Sequence, residues 1–254
     1  MTMTTAPTVA DRDLRPRAAA LIAGGVLFAI GNGLHPLEHS ETAEHAPTWV
    51  AAHLTFSAGA VLMAVGLPLV TAAWRFAGKH SSPTASETFG VEQHGPHADS
   101  PVGMRAHTGV LPAPADVRPA SDRPGTGWVA RVSTLAGALL YVGLTLAIPV
   151  GAYHEAFVAP RLSHHEQTAI EDAALPVNGP LAAAFLLGFL LLAACALAAP
   201  RPLLGRPAAA VIILAVFAMA AAEALPGAEG FWIIPGTIAV GLVLAASGVR
   251  ALRN

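Results

Sequence analysis

The chain has 254 residues, 54% of them hydrophobic and only 12% charged, with a formal net charge of −2. An ordinary soluble domain is roughly 25% charged, so this composition excludes a conventional water-covered surface, and the near-neutral balance gives no basic footprint for nucleic acid. The single cysteine, Cys195, excludes an intramolecular disulfide and any paired-thiol chemistry.

The apolar residues come in runs of near 20, the length a helix needs to cross a hydrocarbon layer of roughly 30 Å. They lack the polar–apolar alternation of a membrane barrel, and abundant Ala and Gly suit close helix packing in lipid. The predicted fold class is therefore all-α: a polytopic integral membrane helical bundle of about six transmembrane helices. A bacterial inner membrane is the expected location, with the lipid bilayer as the first partner. A membrane-protein partner or a homo-oligomer stays open.

In chain order, residues 1–17 form a cytoplasmic N-tail ending in "DRDLRPR". Span 1 covers Ala18–Leu34. It lacks a small-residue cleavage site and is kept as a helix rather than a signal peptide. Span 2 covers Trp49–Ala73 and completes a first hairpin, residues 18–75. Residues 76–126 hold seven prolines, charges of both signs and no sustained hydrophobic period. They read as a disordered cytoplasmic loop, and its four histidines as solvated. Residues 127–254 form a four-helix region, with spans Gly127–Ala152, Pro180–Ala199, Ala208–Leu225 and Phe231–Val249. All four tryptophans (Trp49, Trp74, Trp128, Trp232) fall at span ends, where amphipathic rings favour the headgroup layer. The connections "GLHPLEHSETAEHAPTW" and "ALPGAEGFW" share a small residue, Leu, Pro, acids and a closing aromatic. They read as related hairpins or as recurring turn chemistry.

With both termini in the cytoplasm, 13 of the 14 basic residues fall inside and only Arg161 outside, as the positive-inside rule requires. The outer face then carries nine acids and a formal charge of −8, and the inner face +6. Orientation alone explains outer acids. It does not explain why seven of the eleven histidines (His35, His39, His45, His53, His154, His164, His165) also collect there.

Depth ranks these histidines. His53 lies about one turn inside span 2, where an imidazole needs a partner. His35 ends span 1 at "GNGLHP", and His154 leaves span 3. Glu223 sits near the outer end of span 5, and Glu38 follows His35 in the first loop. The expected site is thus His35, His53 and His154, with Glu38 or Glu223 supplying oxygen. Imidazole with carboxylate suits a divalent transition metal, Zn, Fe, Mn or Cu. His35 and His53 on adjacent helices are alternatively the natural axial pair for a b-type haem. A third chemistry is proton traffic or pH sensing. "HPLEH" (His35–His39) matches the inverse zinc-peptidase pattern. That chemistry needs a continuous helix across both histidines, which Pro36 opposes. The competing function is a small transporter or coupled pore, and the non-catalytic one an accessory subunit. Few deep polar residues (Asn32, Thr55, Ser57, Ser133, Thr134, Thr145, Thr237, Ser247) weigh against a through-path.

Overall fold

A computed structural model describes residues 9–36, 45–76, 126–199, 203–224 and 229–253. Within these residues the chain is almost entirely helical, with no strand. The helices are α1 (Val9–Leu34), α2 (Pro47–Phe76), α3 (Thr126–Val142), α4 (Ile148–Tyr153), α5 (His164–Ala198), α6 (Arg206–Ala224) and α7 (Glu229–Arg253). Five stretches are long and apolar enough to cross a membrane: Leu14–Leu34, Pro47–Thr71, Gly127–Arg161, His165–Ala198 and Phe231–Arg253. The sixth expected span, α6, has a shorter apolar stretch, Arg206–Ala222. Most of residues 76–126, and Glu38 with the rest of 37–44, lie outside the described residues.

Helix α2 packs on α1, α3 and α4, α3 packs on α5, α6 packs on α5 and α7, and α1 packs on both α2 and α7, so the last helix returns to the first. Backbone proximity makes this seam. A Cβ on Gly24 would stand 2.5 Å from the Met63 amide nitrogen, and one on Gly241 would stand 2.6 Å from the Gly25 carbonyl oxygen. Only hydrogen fits at these crossings, the small-residue packing that lipid-facing helices use to gain dispersion contact. The core between helices is rich in alanine, whereas Leu214 and Phe217 on the perimeter are 70% and 63% exposed. A perimeter this apolar suits lipid rather than water.

The third span differs from its sequence outline. It runs without a break from Gly127 to Arg161, interrupted by two wide, π-type turns, Gly143–Ala147 and His154–Val158. Each turn is followed, two residues on, by a proline: Pro149 after the first, Pro160 after the second. A proline ring clashes with the carbonyl four residues back and offers no N–H. The helix accommodates this by widening, so Ile148 N–H bonds Gly143 O and Ala159 N–H bonds His154 O, each five residues back. One proline rule thus explains both turns.

The expected outer loop between spans 3 and 4 is also helical. Helix α5 starts at His164, well before Pro180, and runs 35 residues, about 52 Å at 1.5 Å per residue. Its start is fixed by a capping box: Ser163 Oγ accepts from the Glu166 amide, and the Glu166 carboxylate accepts from the Ser163 amide at 2.9 Å. No described side chain of α5 is buried before Phe185. The length of α5 exceeds a hydrocarbon layer of about 30 Å.

Candidate functional site: a histidine–tryptophan cluster at one end of the bundle

The site is built on the first hairpin. Trp49 and His53 are four residues apart on α2 and therefore share a face. His53 is 2% exposed and Trp49 fully buried. His35 comes in from the end of α1, where His35 N–H still bonds Asn32 O before Pro36 turns the chain. The three rings meet pairwise. Ring centres stand 4.9 Å apart for His35 and His53, 4.8 Å for His35 and Trp49, and 4.6 Å for Trp49 and His53. Phe56 closes the other side of His53 at 5.1 Å. Packing of the first hairpin thus brings His35 and His53 side by side.

Both imidazoles are anchored through the same atom. His53 Nδ1 lies 2.8 Å from Trp49 O, and His35 Nδ1 lies 2.9 Å from Pro36 O. A carbonyl only accepts, so each Nδ1 carries a proton, and in the neutral form of the ring the lone pair is on Nε2. Holding one nitrogen on a carbonyl to fix ring and tautomer is also how proteins orient metal-ligating histidines.

The cluster is tied to the second wide turn by one bond. Trp49 Nε1–H donates to Glu155 O at 2.7 Å. That carbonyl is available for a local reason. Its α-helical donor, Ala159 N–H, is diverted to His154 O, and the next residue, Pro160, has no N–H. The proline that widens the turn therefore also frees the acceptor that Trp49 uses. Sequence reasoning missed this pairing. The signal was Pro160 placed five residues after Glu155, together with a tryptophan at the mouth of α2.

The remaining candidates are placed less closely. His154 begins the wide turn, with Nδ1 3.4 Å from Glu155 Oε1 and a buried Nε2 that has no hydrogen-bond partner. It is joined to the cluster through the chain to Glu155. Among the described residues, however, no three His, Cys, Asp or Glu side chains gather as a group that would hold a metal. Glu223 lies in the last turns of α6, and its side chain is outside the described residues, as is Glu38. His45 and His165 are exposed.

The two expected cofactor chemistries differ in the ring spacing they require. Imidazoles on opposite sides of a haem iron, with metal–nitrogen bonds near 2.0 Å, have ring centres roughly 6 Å apart. Two imidazoles on adjacent corners of a tetrahedral ion have centres about 5 Å apart. The 4.9 Å found here suits the second arrangement.

Several buried polar side chains of the helices are satisfied locally. Asn32, Ser133, Thr237 and Ser247 are buried, yet each donates to a carbonyl of its own helix: Phe28 O at 2.8 Å, then Ala130 O, Ile234 O and Val243 O at 2.9 Å. Such back-bonding satisfies a hydroxyl or amide locally.

Comparison with known proteins returns no match: no family model, no curated protein and no solved structure matches the chain.

Proposed function

We propose that the chain is a six-span inner-membrane protein, both termini cytoplasmic, that binds a divalent transition metal at the outer end of its first hairpin. The ligands are Nε2 of His35 and Nε2 of His53. The observation that carries the reading is the paired anchoring of their Nδ1 atoms on Pro36 O and Trp49 O, with the rings 4.9 Å apart. Two imidazoles alone make a weak site, because such ions take four to six ligands. Glu38, three residues beyond His35, is the nearest carboxylate in sequence and the proposed third ligand. Glu223 and His154 belong to the same end and serve as alternates. The topology rests on the 13-to-1 division of basic residues.

The preference for a metal over a haem rests on ring spacing. The preference for a fixed site over a transporter is supported by four buried polar side chains, Asn32, Ser133, Thr237 and Ser247, that bond carbonyls of their own helices. The test is metal content of protein purified in mild detergent from metal-replete cells, for the wild type, His53→Ala and His45→Ala. The reading expects a near-stoichiometric ion in the wild type and His45→Ala, and at least a ten-fold loss in His53→Ala. Equal retention by both variants, or no ion in the wild type, defeats it in favour of an accessory subunit. A Soret band would instead restore the haem reading.

A further inference from the structure

Trp49 touches both imidazoles of the first hairpin. Its indole centre lies 4.8 Å from that of His35 and 4.6 Å from that of His53, and the two imidazole centres are 4.9 Å apart. The three rings therefore form a nearly equilateral triangle, in which the indole spaces the pair. The same residue holds His53 a second time, through the 2.8 Å contact of its carbonyl with Nδ1. The indole is itself fixed: it is fully buried, and its N–H donates to Glu155 O at 2.7 Å. That acceptor belongs to the third span, which supplies neither His35 nor His53.

The spacing of two imidazoles sets the angle they make at a shared ion. With each Nε2 near 2.0 Å from the metal, the ring centres lie about 3.2 Å from it. Two such rings are about 4.5 Å apart at the right angle of a square-planar ion and about 5.2 Å apart at the tetrahedral angle. The observed 4.9 Å opens the pair to about 100°, nearer the tetrahedral value. An indole packed against both rings opposes any change in that angle, because a densely packed interior passes a displacement on to its neighbours. Copper(II) outbinds zinc at an unconstrained site of the same ligands, but it prefers a tetragonal arrangement. Zinc has no geometric preference of its own and accepts a tetrahedron. Holding the angle open therefore works against copper(II).

We propose that Trp49 is a positioning residue of this site: its indole, fixed by the Glu155 carbonyl, sets the angle between His35 and His53 and so favours zinc over copper(II). Pro160 takes part at one remove, because its missing N–H leaves Glu155 O to Trp49. This role rests on the metal reading above, and names both the ion and the residue that selects it.

The test compares zinc and copper(II) affinities of the full chain in mild detergent, by chelator competition. The visible spectrum of the cobalt(II)-loaded protein reports the geometry. Trp49→Phe keeps a ring and loses the N–H, whereas Pro160→Ala leaves every ring of the cluster in place. Trp128→Phe is the control, at a tryptophan that is 49% exposed. In Trp49→Phe and Pro160→Ala the ratio of copper(II) to zinc affinity should rise at least about ten-fold, and the intense bands of tetrahedral cobalt(II) should weaken. Trp128→Phe should match the wild type in both. If Trp49→Phe does not fold, Pro160→Ala carries the comparison. Metal-binding variants unchanged in ratio and spectrum overturn the role of Trp49 and leave the metal site standing. An equal loss of both ions with the cobalt(II) spectrum unchanged also overturns it, in favour of a merely structural tryptophan. A wild type that binds no ion defeats the metal reading, and the selection of zinc with it.

Discussion

Replacing Trp49 by Phe separates two effects that the fold combines in one residue. The first is volume. Trp49 is fully buried, and shrinking the indole to a phenyl ring leaves a small void worth about 1–2 kcal/mol. The second is the bond to Glu155 O at 2.7 Å. A buried carbonyl stripped of its donor costs about 1–3 kcal/mol. Interhelical bonds in membrane proteins run lower, near 0.6 and at most about 1.7 kcal/mol. Glu155 is only partly buried, so the expected share is about 1 kcal/mol. Pro160→Ala isolates that share. Without the proline, Glu155 O regains a backbone donor, either the N–H that the substitution creates at position 160 or an Ala159 N–H released from the widened turn. The double-mutant cycle should therefore show Trp49→Phe costing about 1 kcal/mol less in the Pro160→Ala background, while the volume cost persists in both. Reversible unfolding in mixed micelles, followed by far-ultraviolet circular dichroism, reads all four corners. Equal costs of Trp49→Phe with and without Pro160 would refute the idea that the proline creates the acceptor.

Further outcomes are expected at other positions. Gly24→Val drives a side chain into the α2 backbone and should cost more than about 3 kcal/mol or abolish assembly, seen as lost monodisperse protein in size-exclusion chromatography. Gly151→Ala, with nothing within 4 Å of its new Cβ, should be neutral or stabilising by up to about 1 kcal/mol. Ser163→Ala removes the capping box and should cost about 1 kcal/mol locally. Hydrogen exchange should then rise over the first turns of α5 and stay unchanged in the core after Phe185. For topology, a cysteine at Ser40 should be labelled from outside intact cells and one at Ser100 only after permeabilisation. External labelling at Ser100 would invert the proposed orientation.

The nearness of His35 to His53 was legible in the sequence, because an imidazole one turn inside an apolar span must be partnered and His35 was the nearest candidate on the adjoining helix. The His154 grouping was less legible. Its approach depends on where a helix widens, and no hydrophobic period reveals that. The same limit explains α5. Residues 164–180 are polar enough to read as loop, yet Ser163 and Glu166 sit at capping-box spacing and start a helix that hydropathy does not detect.

Composition and run length alone therefore determined the all-helical class, the apolar stretches and the positions of the tryptophans near their ends, because these follow from the thickness and dielectric of a bilayer. Which residues touch was decided only by tertiary structure. Glycines at Gly24, Gly25 and Gly241 let the backbones of α1, α2 and α7 approach closely, which sets the register of His35 against His53. Pro160 releases a carbonyl whose partner, Trp49, lies 106 residues away in the chain. Hydrophobicity is a property of each residue and its near neighbours, and so is written locally. A contact depends on the relative height and rotation of two helices, which no single segment encodes.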